Sequence, residues 1–168
     1  MKINTLGDLL KNSAETFGSC PALGFAGETM LTYAEVARKV DSVIALLEDH
    51  GIKQGDKVAI LSSNQPHWGV AFFAIVTMGA VAVPILPDFS ESEIENILTH
   101  SEAKAMFVSE SLYRKISKMS IATLAVRVVI EQFALLPDAA GAVDVAGLAS
   151  SLSDHGARRK EYPVDKHD

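Results

Sequence analysis

The polar turn Ser62–Pro66, which reads Ser-Ser-Asn-Gln-Pro, combines the residue types and the setting that a ligand site requires. It follows an apolar run that predicts a buried strand and leads into an apolar segment that predicts a helix. Open α/β sheets bind ligands at such positions, and helix N-termini attract phosphate. However, the turn has no glycine, and the sequence contains neither G-x-G-x-x-G nor G-x-x-x-x-G-K-[ST]. We therefore favour a structural interpretation, in which Asn64 or Gln65 caps the helix and Pro66 occupies its first turn.

The histidines, cysteine, serines and carboxylates form no active-site pattern. None of the five histidines lies at metal-ligand spacing from another ligand residue, and neither H-E-x-x-H nor G-x-S-x-G occurs. His67 is expected to pack in the first turn of a helix. Cys20 is the only cysteine, which excludes an internal disulfide and agrees with a reducing compartment. Glu91 and Glu95 share one face of a predicted helix, and we interpret that face as an ordinary solvent-exposed surface. We predict no catalytic, cofactor-binding or metal-binding residue.

The composition argues against two classes of partner. The 168 residues carry a net charge of −6, whereas binding to nucleic acid requires a concentrated basic surface. Residues 68–86 form a charge-free run near the length that crosses a bilayer. Gly79 and Pro84 interrupt this run, and its second half is short and β-branched, as buried strands are. We expect no nucleic-acid partner and no transmembrane span.

The elements that would position the polar turn belong to one unit, Gly55–Pro87. No Asp, Glu, Lys or Arg lies between Lys57 and Asp88. The pattern predicts a strand at 58–61, the turn, a helix that is apolar on all sides, and a strand at 80–85. Such a helix must be buried on all sides, so the rest of the chain is expected to cover this unit.

Strands and helices alternate along most of the chain. Further helices are predicted at 5–17, 32–51, 90–101, 109–119 and 143–152. Further strands are predicted at 22–25 and 29–31, which form a hairpin, and at 105–108 and 126–130. Capping boxes are expected at Thr5 with Asp8, Thr32 with Glu35, and Ser90 with Glu93. The first helix is amphipathic, with one apolar face formed by Leu6, Leu9, Leu10, Ala14 and Phe17. The alternation predicts an α/β fold, in which one parallel sheet has helices on both faces and a small antiparallel hairpin precedes it.

Several short segments between about Thr5 and Glu110 carry a family resemblance through their order and separation. They are Leu31-Thr32-Tyr33 with Glu35, Gly55-Asp56-Lys57-Val58-Ala59, Asn64 with Pro66 and Trp68, and Gly79-Ala80-Val81 with Pro84. Together they resemble the adenylate-forming enzymes, which include acyl-CoA synthetases, peptide-synthetase adenylation domains and firefly luciferase. The Asn-x-Pro-x-Trp turn and the Ser-Glu-Ser-Glu-Ile helix are most similar to the long-chain fatty acid–CoA ligase branch.

The resemblance implies an enzyme that activates a carboxylic acid with Mg-ATP to an acyl-adenylate, from which the thiol of CoA displaces AMP. The implied partners of the full-length enzyme are a fatty acid, ATP, Mg and CoA. The family's Thr/Ser/Gly-rich phosphate loop, aromatic-Glu segment, ribose-binding Asp and C-terminal Lys are not found in this sequence. No cofactor is therefore expected to bind this chain alone, and the chain alone is expected to be inactive.

Residues 162–168 resemble the stretch that precedes the family's phosphate loop. We therefore expect 1–168 to be the N-terminal portion of the large domain, with a helix and hairpin at 1–31, a sheet region at 32–153 and a tail at 154–168. A sheet cut from a larger domain leaves an edge strand and an apolar face uncovered, which predicts self-association. The expected location is the cytoplasm, with peripheral contact to the membrane left open.

Two other functions remain as alternatives. The chain could be a stand-alone, non-catalytic α/β interaction module. It could also be a small Rossmann-like nucleotide-binding domain, although the missing glycine fingerprint argues against this. A Thr/Ser/Gly-rich loop soon after Asp168 would favour the ligase, and a stop codon there would favour the module.

Overall fold

The computed structural model describes residues 3–136, which form a small hairpin and a five-stranded sheet with helices on both faces. The elements in chain order are α1 Leu6–Phe17, β1 Pro21–Leu23, β2 Leu31–Thr32, α2 Tyr33–Asp49, β3 Lys57–Leu61, α3 Pro66–Thr77, β4 Val81–Ile85, α4 Glu91–Ser101, β5 Ala105–Val108, α5 Glu110–Ile116, β6 Val126–Val129 and β7 Ala134–Leu135. The helix predicted at 143–152 and the tail at 154–168 lie outside the described residues.

The sheet has the strand order β4-β3-β5-β6-β7. The pairs β3–β4, β3–β5 and β5–β6 are parallel, and β7 runs antiparallel to β6. The hairpin of β1 and β2 is antiparallel. The predicted α/β class, with a parallel sheet between helices and a small antiparallel element, is confirmed. Strand β7 was not predicted from the sequence, because a strand of two residues is too short to show a periodicity.

The core lies on both faces of the sheet, because successive side chains of a strand point to opposite faces. In β3, Val58 and Ile60 pack with α1, α2 and α3, whereas Ala59 and Leu61 pack with α4 and α5. Helix α3 has no exposed residue, as predicted for the helix of the 55–87 unit. Among the described helices, none combines the length and the hydropathy of a membrane span.

Three helices begin with the capping boxes that the sequence predicts, at Thr5, Thr32 and Ser90. At Thr32, the backbone N–H donates to Glu35 Oε2 at 2.8 Å, and the N–H of Glu35 donates to Thr32 Oγ1 at 3.3 Å. The carboxylate of Glu35 has a lowered pKa because the backbone and hydroxyl of Thr32 donate to it. Each box satisfies backbone donors that a helix start would otherwise leave open.

Two helices depart from their predictions. In α1, Leu10 is buried in the core, whereas Leu6, Leu9 and Phe17 of the predicted apolar face are exposed. Helix α5 ends at Ile116 instead of residue 119. The residues that follow α5 include Met119, which still packs into the core on the α4 and α5 side of the sheet.

Candidate functional site

The carboxyl ends of β3 and β5 form the topological switch point of the sheet. These strands are neighbours, but β3 leads into α3 on one face and β5 leads into α5 on the other. Ligands of open α/β sheets bind in the crevice between two such loops. The first residues after the strands are Ser62 and Ser109, whose exposures are only 4% and 1%. This crevice is therefore the place where the described fold favours a ligand.

The side chain of Gln65 crosses the switch point. Its Nε2 donates to Ser62 Oγ at 2.9 Å and to Glu131 Oε1 at 3.2 Å. Gln65 occupies the N-cap position of α3, and Pro66 lies in the first turn as predicted. Gln65 is thus one of the two predicted cap residues, but its side chain makes no capping hydrogen bond to this helix start. The amide of Gln65 instead bonds to the end of a distant strand.

Glu131, which follows β6, also reaches the start of α5. The backbone N–H of Glu110 donates to Glu131 Oε2 at 3.2 Å, and Gln132 Nε2 donates to Glu110 Oε1 at 2.8 Å. Ser109, the N-cap residue of α5, provides no side-chain cap. The carboxylate of Glu131 therefore satisfies a backbone donor at this helix start.

His67 lies in the first turn of α3 beside the same cluster. Its ring is 5.1 Å from the ring of Phe133, in a tilted arrangement, and Phe133 contacts Phe107 edge-on at 5.9 Å. Burial lowers the pKa of His67, and the charge of Lys39 lowers it further, against an opposing effect of Glu131. The packing role predicted for His67 agrees with these contacts.

The chemistry that this cluster supports is limited. Ser62 Oγ donates to the carbonyl oxygen of Ser63 at 2.9 Å, so its proton is directed to the backbone and away from any general base. Within residues 3–136, no group of three or more His, Cys, Asp or Glu side chains could hold a metal ion. A phosphate in the crevice would meet the carboxylate of Glu131, and like charges repel in a partly buried site. The described residues at the switch point therefore do not fit a nucleotide.

The turn at Ser62–Pro66 was identifiable from the sequence, but its hydrogen-bond partners were not. Glu131 is 66 residues from Gln65 along the chain. The one available signal was the polar pair Glu131-Gln132 directly after a predicted strand, since the carboxyl ends of parallel strands share one edge of a sheet. That signal predicts that Glu131 and Gln132 lie at the same edge of the sheet as the turn. It does not specify which helix start each side chain contacts.

The strand order and the two covered faces define the described chain as a doubly wound α/β unit, which is a fold that many enzymes use for nucleotide-linked chemistry. The family model "AMP-binding enzyme" matches residues 10–166. The chain therefore belongs to the AMP-binding, adenylate-forming enzyme family, and the resemblance seen in the sequence is confirmed.

The relatives that match this chain are different members of this family. Triostin synthetase I of Streptomyces triostinicus is 34% identical over 117 residues, which are 67% of this chain and 22% of that protein. The oxalate–CoA ligase of Arabidopsis thaliana is 32% identical over 111 residues, or 66% and 22%. The long-chain-fatty-acid–CoA ligase of Bacillus subtilis is 25% identical over 126 residues, or 75% and 22%. The chain thus spans 22% of the length of each of these relatives.

Solved structures show the same fold. The anthranilate CoA ligase AuaEII, in complex with anthranoyl-AMP, matches with a TM-score of 0.72 and 26% identity, over 77% of this chain and 25% of that chain. The N-terminal domain of FACL13 from Mycobacterium tuberculosis matches with a TM-score of 0.66 and 24% identity, over 73% and 33%. The second likeness concerns the fold alone.

Proposed function

We propose that this chain is the N-terminal part of the large domain of an ATP-dependent long-chain fatty acid–CoA ligase. The family match over residues 10–166 carries the proposal. The narrower choice of substrate is supported by the Bacillus subtilis relative, which aligns with 75% of the chain. The Asn64-x-Pro66-x-Trp68 turn and the α4 segment also resemble that branch. Domain bounds of 1–31, 32–153 and 154–168 belong to the same proposal.

The proposed reaction has two steps. A carboxylate oxygen of the fatty acid attacks the α-phosphorus of Mg-ATP, which forms the acyl-adenylate and releases pyrophosphate. The sulfur of CoA then attacks the acyl carbonyl carbon, which forms the thioester and releases AMP. Both steps develop negative charge that must be offset by cations and hydrogen-bond donors.

The contribution of the described residues to this reaction is a scaffold. Their sheet is covered on both faces, and its switch point is occupied by Gln65 and Glu131. The groups that bind phosphate and Mg are therefore proposed to come from other parts of the full-length enzyme. The chain of 168 residues alone is expected to be inactive and to bind neither ATP, Mg nor CoA.

The proposed enzyme works in the cytoplasm on a fatty acid, ATP and CoA. Its contact with membranes is proposed to be peripheral. The cofactors and partners follow from the reaction of the family, and long-chain acids are the narrower part of the proposal.

The test is pyrophosphate exchange by the protein that the whole reading frame encodes, measured over a panel of acids. We expect ATP–pyrophosphate exchange that depends on a long-chain fatty acid and acyl-CoA formation when CoA is added. Exchange with short or aromatic acids alone would overturn the substrate choice, and no exchange with any acid would overturn the ligase. The 168-residue chain is the matched control, and micromolar ATP binding to it in calorimetry would contradict the scaffold role.

A non-catalytic interaction module is the second proposal. The observation that favours it is the switch point itself, where side chains of the chain hold one another at the position of a ligand. A reading frame that stops after Asp168 would support the module over the ligase.

A further inference from the structure

Helix α5 is held at both ends by side chains that reach loops at the carboxyl edge of the sheet. At its last turn, Lys115 Nζ donates to the carbonyl oxygens of Pro87 at 2.7 Å and Phe89 at 2.8 Å. These carbonyls belong to the β4–α4 loop, residues 86–90. At its first turn, Glu110 bonds to Glu131 and Gln132 of the β6–β7 turn, residues 130–133.

The packing of α5 makes these ties important. Ile116 is the one residue of its seven that is buried, and Ser109 provides no side-chain cap at its start. A helix of two turns is unstable alone, because its nucleation cost is spread over few hydrogen bonds. Its stability must therefore come from its few packing contacts and from the ties at its two ends.

The β4–α4 loop depends on Lys115 in turn. Leu86 is 62% exposed and Asp88 is exposed, so the loop has little apolar burial of its own before Phe89. Hydrogen bonds from a charged donor are stronger than those between neutral groups. Lys115 joins two carbonyls of one loop, which restricts the loop more than a single bond would.

We propose that α5 couples the β4–α4 loop to the β6–β7 turn, so that loosening either segment loosens the other. The coupling follows from the cooperativity of a short helix: when one end loses its ties, the helix frays and the other end loses its partner. Coupling between two segments is reciprocal, so a change made at either end must be detected at the opposite end. This device is independent of the proposed enzymatic reaction, since it rests on contacts within this chain alone.

Amide hydrogen exchange of the 168-residue chain tests the coupling, with Lys115→Met and Glu131→Ala as the two perturbations. We expect each variant to speed exchange roughly tenfold in both segments, because fewer hydrogen bonds then resist local opening. Lys104→Met is the matched control, since Lys104 lies just before β5 and forms its ion pair with Asp56, just before β3, at 2.7 Å. The control should leave both segments unchanged.

The outcomes separate the coupling from simple local loosening. If each variant speeds exchange only in its own segment, α5 does not couple them and the proposal is wrong. If neither variant changes exchange, the bonds of Lys115 and Glu131 do not hold these segments. Protection of the β3 amides reports whether a variant remains folded. Where it does not, the milder substitutions Lys115→Gln and Glu131→Gln, which remove the charge and keep a polar side chain, decide by the same comparison.

Discussion

At the scale of single residues, Glu131 fills hydrogen-bonding positions at the switch point, where ligands of open α/β sheets bind. Its two carboxylate oxygens accept from Gln65 and from the backbone of Glu110, which are groups at the starts of two different helices. In other α/β folds, a bound anion accepts from N–H groups at helix starts such as that of Glu110. The carboxylate therefore ties the two helix starts together and places a negative charge at the switch point.

His67 provides a pH-dependent prediction at the same scale. Its pKa is lowered mainly by burial, so the folded state favours the neutral ring. The stabilising contribution is complete above the unfolded pKa of about 6.5 and is lost as pH falls through the folded pKa. We expect the wild type to lose more stability than His67→Gln between pH 7 and pH 5, measured by urea unfolding at each pH. Equal pH dependence in the wild type and His67→Gln would show that the ring does not titrate differently on folding.

At the scale of elements, local features were predictable from the sequence and distant contacts were not. The capping boxes of α1, α2 and α4 each depend on four consecutive residues, and all three are present. The exposed stripe of α1 was not predictable, because an apolar pattern identifies a face without identifying what covers it. The β6–β7 turn depends on Phe133, whose φ of 52° is unusual for a residue other than glycine. Its ring contacts with His67 and Phe107 accompany that conformation, and both partners are distant in sequence.

The capping box of α2 gives a prediction for one element. Thr32→Ala removes the hydroxyl that accepts from the N–H of Glu35 and should destabilise the chain by about 1 kcal/mol. Chemical denaturation measures this as a lower midpoint with an unchanged slope. Ser42→Ala in the middle of the same helix is the control, since the Ser42 hydroxyl donates to the carbonyl oxygen of Arg38 within the helix. An equal loss from both substitutions would mean that the cap contributes nothing specific.

At the scale of the whole molecule, the β4 edge of the described sheet is protected against pairing with another strand. The N–H of Val81 points inward to the carbonyl of Asp56, at 2.8 Å. Because the backbone N–H and C=O groups of successive residues point to opposite sides of a strand, those of Ala82 and Pro84 point away from β3 at the edge strand β4. Pro84 has no N–H, so a pairing strand would lack a partner in the middle of β4. Helix α1 presents exposed apolar side chains elsewhere on the molecule.

This surface leads to the prediction of self-association. Leu6 and Leu9, three residues apart on α1, are 45% and 42% exposed, and Phe17 is 53% exposed. Exposed apolar side chains on one helix favour contact between copies. We expect light scattering to show a mass that rises above the monomer with concentration, and the double variant Leu6→Lys with Leu9→Lys to return to the monomer mass. Val81→Lys on the β4 edge should associate like the wild type. A clean monomer of the wild type at high concentration would rule the association out.

The capping boxes also have a consequence for synthesis on the ribosome. Chains emerge from the N-terminus, and domains begin to fold as they are made. The starts of α1 and α2 are specified by residues 5–8 and 32–35 alone, which are available before any strand of the main sheet has been translated. The first two helices can therefore begin at the correct residue before the apolar unit at 55–87 has been translated. When that unit emerges, helices that pack on one face of β3 already have their starting points in place.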